Sequence, residues 1–513
     1  MTTPLHFTAL IVFCFFFLLV TLTGFWAARW RRPAEGLESL EEWGLAGRQF
    51  GTLITWFLVG GDLYTAYTVI AVPALLFGTG AFGFFAVPYA TIAYPYMMLV
   101  LPRLWLVSHR HGYVTFADFV RGRFGSRSLT LAIAVTGVLA LLPYIALQLV
   151  GMQAAIAAIG IKGEWPLIAA FVILAAYTYS SGLRAPAAIA VVKDVMLYLM
   201  VGAAVIVIPM KLGGYAHIFA SASVALHTHT PPGNILLMPQ QYLGYSTLVI
   251  GSAIALMLYP HTATGMLSAH SANVVRRNAA LLPSYSFLLG MVALLGYMAL
   301  AAGIRPVAGD TNSAIPQLFL KMFPEWFAGF CLAAIGIGAL VPAAIMSIAA
   351  ANLYTRNIHC LLVKTPLTPK AEASIAKSVS LVIKGGALVF ILNGSAAYAI
   401  QLQLLGGIWI GQIFPAVVIG VFTRWLHPRA LLAGWFVGMF AGTAMAHATR
   451  MKSPVYPLAL FGHVYPIYAA IPALLLNLAV CVLVTLALHW AGVNRGTDAT
   501  VAEDYLDYAD STI

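Results

Sequence analysis

Thirteen runs of apolar residues, each about as long as a bilayer core is thick, follow one another along this chain with short polar joints between them. They lie near residues 6–28, 52–80, 82–106, 129–159, 165–182, 186–211, 242–266, 280–303, 326–355, 376–394, 398–423, 430–448 and 466–490. Hydrocarbon offers no water to backbone amides, so such runs fold as helices that bond internally. The chain therefore reads as an all-α, polytopic membrane protein with the lipid bilayer as its surroundings. Of its 513 residues 61% are hydrophobic and 8% charged, more apolar surface than a soluble domain hides. The net charge of +11 then bears on orientation and implies no nucleic-acid partner.

With the N-terminus outside, inside loops hold 19 of the 27 Lys and Arg residues, among them Arg29, Arg31, Arg32, Arg110, Arg123, Arg276 and Arg424. Outside loops hold six, and Lys193 and Lys384 fall within apolar runs. This asymmetry predicts an N-out, C-in protein of the cytoplasmic (inner) membrane. The first run lacks a basic segment before it and is followed by arginines, which reads as an anchor rather than a cleaved signal.

Several classes are disfavoured. The four cysteines are scattered without metal-ligand or redox spacing, so no cofactor or metal cluster is expected from them. No GxxxxGK[ST], HExxH or GxSxG occurs, which argues against ATP-driven pumping and against a membrane enzyme. The end of the chain, 492–513, carries five acids and reads as a disordered, acidic cytosolic tail.

The chemistry must come from polar groups inside the spans. Asp62 and Asp194 are the only acids placed within the long apolar runs. A charge at a helix centre costs about 2.5–3.5 kcal/mol on insertion scales, so each needs a partner or a task. Asp62 follows Gly60-Gly61, where a helix is readily unwound, and Tyr259-Pro260-His261 interrupts a second span five further on. Interruptions at matching places in two halves mark a transporter site near the midplane. Freed amides there suit an anion. Tyr64, Thr65 and Tyr67 offer hydroxyls, and His261 a titratable ring or a simple carbonyl donor. Gln148, Trp409 and Gln412 are further candidate substrate contacts. Lys384 reads as lying near a helix end.

These interruptions, with Tyr177-Thr178-Tyr179-Ser180-Ser181-Gly182-Leu183, Tyr354-Thr355-Arg356-Asn357-Ile358 and Gly406-Gly407-Ile408-Trp409-Ile410-Gly411-Gln412-Ile413-Phe414-Pro415, resemble the sodium/solute symporter family over roughly residues 5–490. Pro260-His261-Thr262-Ala263-Thr264-Gly265 and Ser181-Gly182-Leu183-Arg184-Ala185-Pro186 resemble its bacterial monocarboxylate permease branch. The resemblance implies a leucine-transporter-type inverted repeat of five spans plus five. Residues 1–51 would hold the first helix and a cytoplasmic loop, and 52–211 and 242–423 the two repeats of the core. Residues 424–491 would add two further helices. It implies secondary transport of lactate-, pyruvate- or propionate-type monocarboxylates, driven by sodium or protons. A sodium-coupled symporter for an amino acid or other organic anion is the alternative, and a transporter-like sensor the rival from another class.

The family's sodium site would fall on carbonyls of Gly60, Leu63 and Gly338. The two hydroxyl positions that complete it are occupied here by Val341 and Pro342, neither of which offers a hard cation an oxygen. Ser347 lies one to two turns on. The carboxylate expected near that site is Asp194, beside an unexpected Lys193. Adjacent helical residues diverge by about 100°, which sends one of the pair away from the core. Lys193 either replaces sodium with its ammonium and titrates during the cycle, or snorkels to the cytoplasmic face or pairs with a local carbonyl.

Overall fold

A computed structural model describes residues 5–30, 36–62, 64–161, 163–230, 232–363, 367–393 and 396–507. The chain opens with α1 (Phe7–Trp26) and the short α2 (Leu40–Leu45). The first repeat comprises α3 (Thr52–Gly61) and α4 (Ala66–Thr79), then α5 (Ala86–His111), the surface helix α6 (Phe116–Phe124), α7 (Arg127–Ile159), α8 (Trp165–Ser181) and α9 (Arg184–Lys211). A connecting α10 (Tyr215–His227) leads to the second repeat. This holds α11 (Tyr242–Leu258) and α12 (Pro260–Leu267), α13 (Ala272–Leu281) and α14 (Pro283–Ala301), the surface helix α15 (Ala314–Met322), and α16 (Glu325–Leu353). It continues through the single turn α17 (Cys360–Leu362), α18 (Pro369–Asn393), α19 (Ala396–Ile410) and the turn α20 (Gly420–Phe422). Two further helices, α21 (Pro428–Ala448) and α22 (Ala470–Trp490), complete the bundle.

Eleven helical stretches among the described residues are long and apolar enough to cross a membrane. The α3–α4 pair and the shorter α8 bring the total to the thirteen expected. The two halves match element by element: a broken helix, a long one, a short surface helix, then three more. The surface helix α6 lies at the end rich in arginine, and its counterpart α15 at the opposite end, as an inverted repeat requires.

At the arginine-rich end the helices start on side-chain caps. Ser39, Ser126 and Ser271 each accept a backbone amide, and Thr115 and Asp118 form a reciprocal capping box. Two motifs prove to be fastenings at this end. Gly182 takes φ +57° and packs where a Cβ would overlap the Trp43 carbonyl, and the Leu183 amide donates to that carbonyl at 2.9 Å. Arg184 reaches the Glu42 carboxylate at 2.8 Å. Asn357, in a π-helical turn after α16, donates to Asp118 and accepts from Thr115, both at 2.6 Å.

The middle of the bundle is α16, buried from Ala328 to its end at Leu353 and packed against α1, α7, α9, α12 and α18. Its many alanines and glycines allow this close approach; Gly329, for example, lies against the backbone of Ala9. At the end away from the arginines, a hairpin of β1 (Val455–Leu460) and β2 (His463–Tyr468) joins α21 to α22, inside what the sequence suggested was partly helix.

The acidic tail departs from expectation. Residues 492–507 lie folded along the arginine-rich end, with the Ala499 amide bonded to the Gly122 carbonyl at 2.8 Å. Five acids read alone suggest a solvated tail, but opposite charges on the helix ends below hold it.

Candidate substrate and coupling site

The first break is built by Gly60 and Gly61. A Cβ on Gly60 would overlap the ring of Tyr285, and one on Gly61 would lie 3.0 Å from the Lys193 ammonium. Glycine is thus required by contact here, not only by backbone freedom. α3 ends at Gly61, and α4 restarts at the cap Thr65, whose Oγ1 accepts the Thr68 amide at 2.9 Å. Between them the backbone carbonyls of Gly61 and Tyr64 turn inward.

Lys193 fills this cradle. Its Nζ donates to the Gly61 carbonyl, to the Tyr64 carbonyl at 3.0 Å, and pairs with Asp194 Oδ1 at 2.9 Å. Both side chains are fully buried. The expected divergence of the two neighbours is therefore corrected: the four-carbon stem of Lys193 curls back to meet Asp194. Tyr285, at the start of α14, closes the group. Its hydroxyl donates to Asp194 Oδ2 at 2.7 Å, and its own carbonyl accepts from the Tyr64 hydroxyl. Sequence reasoning missed Tyr285, because one tyrosine in an apolar run carries no signal of its partner.

The second break is smaller. Tyr259 is the single extended residue, with ψ 134°, before Pro260 starts α12. It sets His261 against the first break, where His261 Nε2 lies 3.2 Å from Asp62 Oδ2. Tyr144, one turn from Gln148 on α7, faces both rings: its centroid is 5.4 Å from Tyr259 and 5.6 Å from His261. Asp62 Oδ1, His261 Nδ1 and Gln148 Oε1 are buried and have no hydrogen-bond partner within the protein. Buried polar atoms are normally satisfied. Asp62 and His261 thus each bring one unpartnered atom to the place where the two broken helices meet, and Gln148 carries a third on α7, one turn from the Tyr144 that packs on His261.

The other candidates are distributed unevenly. Gly338 packs against Thr65 and Ala66 at the restart of the first broken helix. Leu63 lies outside the described residues, as does the side chain of Tyr67. Trp409 and Gln412 turn their hydrogen-bonding groups to the last two helices rather than to the breaks. Trp409 donates to Thr443 on α21 at 2.9 Å, and Gln412 accepts from Asn477 on α22. They fasten the core to the last two helices, because that face of the tenth core span is covered by protein. Lys384 is also corrected: it is buried mid-helix in α18, its Nζ bonded to Ser380 at 2.7 Å, and Ser380 lies 3.5 Å from Ser347.

A sodium ion fits poorly at the inferred position. The Gly61 and Tyr64 carbonyls already hold an ammonium, the Gly60 carbonyl accepts the Tyr64 amide at 3.4 Å, and α16 presents Val341 and Pro342. Ser347 donates to the Ala344 carbonyl and faces α18 instead. Among the described residues no group of three or more His, Cys, Asp or Glu is placed to hold a metal.

The model of the sodium:solute symporter family matches residues 43–442. The chain belongs to that family. As a member of the sodium:solute symporters it is a multi-pass membrane transporter and not an enzyme. It is 53% identical over 488 residues to a monocarboxylate transport permease protein of Rhizobium johnstonii, covering 95% of this chain and 98% of the relative. It is 34% identical to the uncharacterized symporter YodF of Bacillus subtilis, over 88% of this chain and 90% of the relative. The sodium/proline symporter of Staphylococcus aureus is 22% identical, over 96% and 95%. Among solved structures, a Na+-coupled sialic acid symporter in a substrate-bound outward-open state superposes with TM-score 0.74, at 16% identity over 94% of this chain and 97% of that one. At that identity the likeness carries the symporter fold alone.

Proposed function

We propose that this symporter imports small monocarboxylates across the cytoplasmic membrane and couples their entry to protons rather than sodium. The observation that carries the coupling is the Lys193 ammonium, tethered in the carbonyl cradle where the family would place a mobile cation. Similarity to the Rhizobium permease over nearly the whole of both chains supports the substrate class. The arginine-rich end faces the cytosol on the distribution of basic loops.

Three unpartnered polar atoms, on Asp62, Gln148 and His261, receive the substrate. A carboxylate entering beside Asp62 would put two negative charges in one buried site, which is unfavourable unless one carries a proton. The Asp62–His261 pair holds that proton, so anion and proton bind together and leave together. Lys193 and Asp194 supply the fixed charges that keep the first broken helix in shape through the cycle.

The test is uptake of labelled lactate or pyruvate into proteoliposomes under separately imposed gradients. Accumulation is expected with an inward proton gradient in the absence of sodium. Asp62→Asn should abolish accumulation while preserving exchange of substrate across the membrane. Strict sodium dependence would overturn the coupling, and no uptake of either acid under any gradient would overturn the substrate class.

A further inference from the structure

The folded tail joins helix ends that transport must move apart. Asp498 pairs with Arg123 at 2.9 Å and lies 3.5 Å from Arg424, while Arg424 also bonds the Gly496 carbonyl at 2.7 Å. Asp504 pairs with His111 at 2.8 Å and Arg110 at 3.7 Å, and Arg110 reaches the Leu506 carbonyl at 2.9 Å. Asp507 pairs with Arg276 at 2.8 Å. Tyr505 lies under the Arg123 guanidinium, 5.3 Å from its ring centre, and bonds Thr500 at 3.0 Å.

These anchors fall into two groups of helix ends. Arg110, His111 and Arg276 stand on α5 and α13, which pack on each other and follow the two broken helices. Arg123, on α6, and Arg424, just beyond α20, form the second group, held together by the Arg424 bond to the Arg123 carbonyl at 3.1 Å. Alternating access moves one repeat or bundle against the other around a fixed site. A segment bonded to both resists their separation at the end where it lies.

We infer that residues 494–507 form a clasp between the cytosolic ends of the α5–α13 pair, held through Asp504 and Asp507, and those of α6 and α20, held through Asp498, and set how readily the symporter opens to the cytosol. The clasp is electrostatic, with three carboxylates answering five basic side chains. Its backbone contact at Ala499 and the packing of Tyr505 set its register. It holds whatever the transported solute is. The inference shares only the orientation with the function proposed above.

The test uses the full-length chain with its native cysteines replaced and Ser108→Cys introduced. Ser108 is fully buried in the last turn of α5. Inverted membrane vesicles present this end to a membrane-impermeant maleimide and, separately, to trypsin, which reports release of the tail by cutting at Arg495. The variant Asp498→Asn/Asp504→Asn/Asp507→Asn is expected to speed cleavage at Arg495. It should also raise labelling at position 108 by about fivefold or more, as several partly exposed ion pairs lost together imply. Faster cleavage with unchanged labelling would overturn the clasp, because the tail would then be free without any opening. No change in either would overturn the assignment of these carboxylates. If the triple variant fails to reach the membrane, Arg276→Gln/Arg424→Gln reads the same two quantities from the core side, with the same outcomes deciding.

Discussion

Removing the Lys193 ammonium should be costly, and removing its partner as well should be less so. In Lys193→Met, Asp194 stays buried with only the Tyr285 hydroxyl, and the Gly61 and Tyr64 carbonyls lose a donor. Stripping one member from a buried ion pair costs about 3–5 kcal/mol. Adding Asp194→Asn removes the stranded charge and leaves an amide oxygen that still accepts from Tyr285. What then remains is the two unsatisfied carbonyls, about 1–3 kcal/mol each and common to both variants. The double variant is therefore expected to be more stable than Lys193→Met alone. Equilibrium unfolding in mixed micelles, followed by tryptophan fluorescence, measures all four corners of the cycle. Additive losses, with the double variant the least stable, would refute a direct Lys193–Asp194 pair and with it the tethered-cation reading. Sodium should leave the wild-type transition unmoved.

Other outcomes follow from single contacts. Gly60→Ala should lose transport and about 1–3 kcal/mol of stability, since its methyl group meets the Tyr285 ring; unfolding and uptake measured on the same preparation check this. Trp409→Phe should leave the KM for substrate within about twofold, because the indole N–H is engaged by Thr443 on α21; a large KM change would return it to the site. Burial works to raise the Asp504 carboxyl, but the His111 hydrogen bond, the Val501 amide and the charges of His111 and Arg110 outweigh it and hold it below its ordinary value. A depressed carboxyl stabilises docking above the ordinary range and ceases to do so as pH falls through the lowered value. A spin label on the tail should thus stay immobilised from neutral pH down to about pH 4 and loosen only below it; loosening near neutrality would contradict this.

The number of spans was legible because crossing hydrocarbon demands long apolar runs and nothing else in the chain resembles them. The first break was legible too, since Gly60-Gly61-Asp62 combines permissive backbone with a costly charge. What sequence alone misjudged were neighbours across the fold. Helical periodicity gives Trp409 and Gln412 a face but does not say which helix covers it. Lys193 and Asp194 were expected to diverge because their Cα–Cβ bonds do, yet a lysine is long enough to return. Tyr285 and the tail were missed for the same reason, as each is defined by a partner hundreds of residues away or on another element.

The burial of α16 has a consequence for how the chain is made. Its flank against α18 is closed by a helix that begins at Pro369, well after α16 has ended. As the chain is synthesised, α16 enters the bilayer with lipid along that flank and exchanges lipid for protein only once α18 has followed. Its small side chains, poorly matched to lipid tails but suited to a close neighbour, favour that exchange. The central helix of the symporter thus reaches its final surroundings late in assembly, and a chain interrupted between residues 362 and 369 would keep its pillar in contact with lipid.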